Sequence, residues 1–182
     1  SEINEVVYQG QIVADRGYEE FVKAATIHHD KPSYYVVRGF GPQEEEIRKL
    51  IEVENANVRL DEPVEVKELV KKLSESDIGV VLTKPVSINF EYTVSNKIFE
   101  CIHAGLPVIL SPVIEHRFLN DKYNFGIVID EVKPENIAKA VNKLISDNDF
   151  YDQLRHNAIE ASKTLNWQNE SQKLVELYNQ TV

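Results

Sequence analysis

Methionine is absent from this sequence, cysteine and tryptophan occur once each, and cations are outnumbered, 20 Lys and Arg against 30 Asp and Glu. Without methionine, Ser1 is not a retained start residue; the chain enters a strand almost at once and reads as an excised domain. A lone Cys101 excludes a disulfide framework and suits a reducing compartment. It falls within a helix, which makes it a buried structural thiol rather than a nucleophile. No apolar run reaches the roughly 20 residues of a membrane-spanning helix, and no charged-then-apolar leader opens the chain. The expectation is a cytoplasmic protein. A net charge of −10 argues against a nucleic-acid or anionic-membrane surface, since both need clustered cations. Any anionic ligand must therefore be gripped by a local site. The five histidines lack metal-ligand spacing: His28 and His29 are adjacent, and His103, His116 and His156 are isolated.

What is present is alternation. Apolar runs at 5–8, 34–38, 58–60, 78–82, 108–110 and 127–129 read as strands. Between them 18–27, 44–53, 66–74, 95–104 and 135–146 carry apolar residues at helical spacing, with Val66, Leu69, Val70 and Leu73 the cleanest set. Two helices follow, at 150–163 and 167–178, the second capped by Asn166 and anchored by Trp167. This order predicts an α/β fold: a Rossmann-like, doubly wound parallel sheet of about six strands, helices on both faces, closed by two C-terminal helices. At 182 residues the chain fits one domain, 1–182, without a convincing internal linker.

The most informative segment is 95–110, SNKIFECIHAGLPVIL. Ser95 or Asn96 serves as helix N-cap, Phe99, Ile102 and His103 share one face, Gly105 stops the helix, and Pro107 opens a buried strand. His103 is expected to pack there. A helix N-terminus offers unpaired N–H groups and partial positive charge to an anion, and Glu100, one turn further in, suits sugar hydroxyls.

Ser95, Lys97, Phe99, Glu100, Ala104, Gly105, Pro107, Val108 and Ile109 together resemble the donor-binding signature of the C-terminal domain of GT-B glycosyltransferases, glycosyltransferase family 4 or group 1; His103 interrupts it. The resemblance implies one half of a GT-B fold, with 166–182 crossing back to an N-terminal domain that binds the acceptor. The family's first loop carries two cations that grip the diphosphate. Here Gly10, Arg16 and Gly17 match, arginine standing for lysine, while Gln11 removes the other charge. Gly39-Phe40-Gly41-Pro42 matches a turn common after the second strand, and similarity puts the nucleobase near the third loop, at Asp61 and Glu62. A second acid would fall at Tyr92; Glu91 lies one residue off.

The implied function is a glycosyltransferase, retaining and metal-independent, moving a sugar from a UDP- or GDP-sugar to an acceptor glycan or lipid-linked sugar in bacterial surface polysaccharide synthesis. The intact enzyme would lie in the cytoplasm or peripherally on the inner face of the membrane. No cofactor or metal is expected beyond the donor itself. Arg16 and Lys97 carry the electrostatic catalysis; Gly10, Gln11, Arg16, Gly17, Ser95, Asn96, Lys97 and Glu100 bind the donor, with Gly39, Gly41, Asp61, Glu62, Glu91 and Tyr92 further candidates. Asp147-Asn148-Asp149 spells the D-x-D metal motif of the other glycosyltransferase fold, but between two helices it is expected to cap. A nucleotide-sugar epimerase of the same fold and a non-catalytic nucleotide- or partner-binding domain are the alternatives.

Overall fold

The computed structural model describes residues 2–84, 91–165, 175–177 and 179–180, the side chains of 91–95 excepted. Six parallel strands, β1 (Glu5–Gln9), β2 (Tyr34–Arg38), β3 (Val58–Asp61), β4 (Ile78–Val81), β5 (Val108–Leu110) and β6 (Gly126–Val128), form one sheet in the order β3-β2-β1-β4-β5-β6. The helices are α1 (Tyr18–Ala24), α2 (Glu44–Glu54), α3 (Leu69–Leu73), α4 (Glu91–His103), α5 (Ile114–Tyr123), α6 (Pro134–Ser146) and α7 (Asn148–Thr164). Alternate side chains along each strand fill two separate cores. Val6, Tyr8, Tyr35, Val37, Ile78 and Val80 pack with Phe21 of α1, Ile47 of α2 and Val141 of α6. Val7, Val36, Val81, Val108 and Leu110 pack on the other face with Ile98 and Ile102 of α4, Leu119 of α5 and Ala158 of α7. Both faces are covered, which is why the strands read as continuous apolar runs.

Strand order reverses between β1 and β4, and the loops at the carboxyl ends of these two strands diverge there. In doubly wound sheets this switch point is where ligands settle.

The expected strands are all present, within a residue of their expected ends. The helices depart more. α4 starts at Glu91 rather than beside Ser95, because Glu-Tyr-Thr-Val contains no breaker and an acid at the first position complements the helix dipole. Ser95 and Asn96 therefore sit in the second turn of the helix, where helix geometry gives each N–H the carbonyl four residues back. His103 is exposed, since consecutive helical residues point about 100° apart and Ile102 takes the buried position. α1 stops at Ala24, after which Ala25, Thr26 and Ile27 continue in i−3 turns. A 3-10 turn, Val66–Glu68, replaces the start of the third expected helix, and α5 was not anticipated. The expected cap Asn166 and anchor Trp167 lie outside the described residues.

α4 ends as its sequence requires. Gly105 takes φ +74, the Leu106 N–H donates to the Cys101 carbonyl, and the Gly105 N–H donates to that of Ile102, a Schellman pair. Gly79 of β4 lets α4 lie close to the sheet: a Cβ there would stand 2.9 Å from the Cys101 sulfur. Burial pushes that thiol up to about 12, so Cys101 is an inert packing group. Among the described residues no helix is long and apolar enough to cross a membrane.

Candidate functional site

A cavity of about 300 Å³ opens at the carboxyl ends of β1 and β4. Its floor is Tyr8, Gln9, Val81 and Leu82; Gly10, Gln11, Val13 and Arg16 come from the loop after β1, Tyr18 from α1 and Lys97 from α4. The loop bends back because Asp15 (φ 64) and Gly17 (φ 72) both adopt left-handed backbone, after which α1 begins. Tyr8 and Tyr18 stack with ring centroids 4.1 Å apart beneath it. The Tyr8 hydroxyl lies 2.5 Å from the Arg16 carbonyl oxygen and 2.8 Å from that of Leu82, so its one proton ties the loop to β4. Burial raises both phenols far above their ordinary value, so both stay neutral, and Tyr8 donates its proton within the loop.

The loop after β2 braces the loop after β1 from the other side. Ile12 N–H donates to the Phe40 carbonyl and Gln43 N–H to that of Ile12. A Cβ on Gly39 would overlap the Gly10 carbonyl oxygen, and one on Gly41 the Ile12 carbonyl oxygen. These glycines are needed so that two backbones can touch. They brace the loop that forms the cavity and are not among the residues that line it.

Two cations reach the cavity. Arg16 is half-buried and its Nη1 donates to Thr83 Oγ1 at 3.0 Å. Lys97 extends across Gly10, where an added Cβ would stand 3.4 Å from Lys97 Cε. Its ammonium lies 3.9 Å from the Glu100 carboxylate one turn on, both groups half-buried. Desolvation raises the Glu100 carboxyl above its ordinary value, the neighbouring Lys97 charge opposing this. A compact dianion in the cavity would find Arg16 as a planar fork on one side and Lys97 as a point charge on the other.

Of the residues expected from sequence, Gly10, Gln11, Arg16 and Lys97 are thus brought to one cavity, Gly17 shapes its loop and Glu100 stands behind Lys97. Asn96 is exposed on α4. Glu91 and Tyr92 are the first residues of α4 rather than loop residues, and their side chains, with that of Ser95, lie outside the described ones. Asp61 is held by Arg59 through contacts of 2.7 and 3.1 Å, with Arg38 at 3.9 Å, two strands from the cavity; Glu62 is exposed beside it. Asp61 is a charge-pair residue at the end of β3. Asp147 accepts from the Phe150 N–H at 3.0 Å, the cap expected of it.

Sequence reasoning missed Tyr8, Gln9 and Thr83. Gln9 is a polar residue ending an apolar strand and Arg38 ends another, but only the pairing of β1 with β2 brings the two together.

The family model described as glycosyl transferases, group 1, matches residues 3–147. Comparison with curated proteins gave no match. Among solved structures, WaaG, a glycosyltransferase involved in lipopolysaccharide biosynthesis, superposes with TM-score 0.72 at 16% identity, over 97% of this chain and 47% of WaaG. Anabaena HepE, in complex with UDP and glucose, gives 0.76 at 14% identity, over 98% of this chain and 49% of HepE. The C-terminal domain of the group 1 protein LpcC from Francisella tularensis gives 0.68 at 18% identity, over 88% and 85%. The chain spans about half the length of WaaG and HepE. At these identities the likeness is one of fold, a GT-B domain; with the family model covering most of the sequence, the chain belongs to the group 1 glycosyl transferases.

Proposed function

We propose that this chain is the donor-binding half of a retaining glycosyltransferase, and that its cavity holds the diphosphate of a nucleoside-diphosphate sugar. The observation that carries the reading is the convergence of Arg16 and Lys97 on one cavity at the switch point of the sheet. UDP in HepE supports a uridine nucleotide as the first candidate, and the role of WaaG in lipopolysaccharide supports a surface-glycan acceptor. The acceptor would be bound by a second domain.

In transfer, the bond between the anomeric carbon and the diphosphate oxygen breaks and its electron pair stays on the leaving oxygen. The acceptor hydroxyl oxygen forms the new bond to the anomeric carbon, and its proton passes to the departing phosphate oxygen. Arg16 and Lys97 stabilise the charge that develops on the leaving group, so no metal is needed for that purpose in this reading. Glu100, steadied by Lys97, accepts from sugar or ribose hydroxyls and fixes donor orientation.

The test is UDP affinity in single variants. Arg16→Ala and Lys97→Ala are each expected to weaken binding about tenfold or more, the worth of a charge-assisted contact, and UDP binding is expected to survive EDTA. Unchanged affinity in both variants would remove the reading. In the intact enzyme, UDP release that requires an acceptor distinguishes transfer from epimerisation.

A further inference from the structure

Three polar groups leave the cavity and run inward through the sheet edge. Arg16 Nη1 donates to Thr83 Oγ1 at 3.0 Å, the Thr83 N–H donates to Ser111 Oγ at 3.0 Å, and Ser111 Oγ lies 2.9 Å from His116 Nδ1. Thr83 follows β4, Ser111 follows β5, and His116 sits in the first turn of α5, so the chain of contacts crosses three elements. Thr83 is 5% exposed, Ser111 and His116 not at all. A packing role alone would be served better by apolar residues, because each buried polar group costs free energy unless it is bonded.

We infer that Thr83, Ser111 and His116 are positioning residues that fix the Arg16 guanidinium at the mouth of the cavity. Each bond defines the next. Ser111 Oγ accepts from the Thr83 N–H and lies 2.9 Å from His116 Nδ1, so one buried hydroxyl joins the loop after β4 to α5. His116 Nε2 is buried without a partner among the described residues, so the ring is held through Nδ1. With Ser111 pinned, the Thr83 main chain is pinned, and its hydroxyl presents an oxygen to one arm of Arg16. The remaining arms of the fork are then aimed by a rigid support rather than by a mobile loop. None of the three lines the cavity, so they act through Arg16.

The inference rests on the donor reading above, and the experiment separates the two. UDP titrations of the wild-type chain, Thr83→Val and Thr83→Ser are read alongside the nitrogen-15 signal of the Arg16 side chain in ligand-free protein. Thr83→Val keeps the shape and the main-chain bond to Ser111 and removes only the hydroxyl. Expected are an about tenfold loss of UDP affinity, a shifted and more mobile Arg16 signal, and recovery of both in Thr83→Ser. Wild-type affinity and a wild-type Arg16 signal in Thr83→Val overturn the relay. Should the wild type fail to bind UDP and equally GDP, ADP and CMP, the donor reading falls. The Arg16 signal then decides the relay: shifted in Thr83→Val and restored in Thr83→Ser supports it, unchanged overturns it.

Discussion

Arg38 Nη1 donates to the Gln9 amide oxygen at 2.9 Å, in a position where Arg38 is 1% exposed. Because a guanidinium only donates, the bond fixes which end of the Gln9 amide faces it, and leaves Gln9 Nε2 buried without a partner among the described residues. Arg38 has Asp61 at 3.9 Å as its counter-charge, and burial lowers its basicity against that carboxylate. A buried cation is costly when stranded and dispensable when replaced by an apolar side chain of similar volume. Gln9→Leu is therefore expected to destabilise the chain by about 2 kcal/mol, and the double variant Gln9→Leu with Arg38→Met, which strands neither group, to be neutral or stabilising, Asp61 keeping Arg59. Urea unfolding of the two variants checks the asymmetry, and equal losses would contradict it.

Gly39 has no room for a side chain against the Gly10 carbonyl. Gly39→Ala must push the loops after β1 and β2 apart, with an expected loss of about 2–3 kcal/mol and weaker UDP binding through the displaced Gly10 loop. Thermal unfolding and a UDP titration of the variant read both effects. A variant with wild-type stability would refute the close approach.

His116 is held neutral by burial, its basicity lowered to about 3, with the Ser111 contact opposing and the Arg16 charge adding to the shift. The unfolded chain takes up this proton below about 6.5 and the folded chain only near 3, so the unfolded state binds more protons in between. Stability is full above that window and falls as pH drops through it. His29, lowered chiefly by its own burial, contributes in the same direction. In His116→Gln the fall of stability between about pH 6.5 and 3 is expected to be shallower than in the wild type. Urea midpoints across that range measure it, and an unchanged slope would contradict a buried neutral ring.

Glu100 has the opposite sign. Its carboxyl is raised, first by burial and against the pull of Lys97, so the folded state binds more protons just above the ordinary carboxylate value. Stability then falls as pH rises through that window, and the ionised group burdens the fold at neutral pH. Glu100→Gln is expected to raise the melting temperature at neutral pH while lowering UDP affinity. A variant that is both less stable and equally tight would show that Glu100 serves the fold and not the ligand.

Much of this arrangement was legible in the sequence, and the misses share a cause. Parallel strands buried on both faces leave continuous apolar runs, and all six were readable. α5 was not, because its inward side carries Glu115 and His116 together with Leu119, so burial leaves no apolar period to detect. The start of α4 was set four residues late because Ser95 and Asn96 are good caps in isolation, and nothing local reveals that the helix has already begun. Gly10, Arg16 and Lys97 were identifiable by spacing and resemblance. Gln9, Arg38 and the Thr83–Ser111–His116 series were not, since their meaning lies in contacts between residues 28 or 29 positions apart.

The central claim is that the cavity between β1 and β4 receives a nucleoside diphosphate, and an amide NMR titration of the chain with UDP, GDP, ADP and CMP tests it most directly. Shifts confined to 10–17, 83–84 and 96–100, saturating with one nucleotide, are the predicted result, and that nucleotide names the base. Saturable shifts that instead map to the opposite edge of the sheet, or a folded chain silent to all four, would contradict the account.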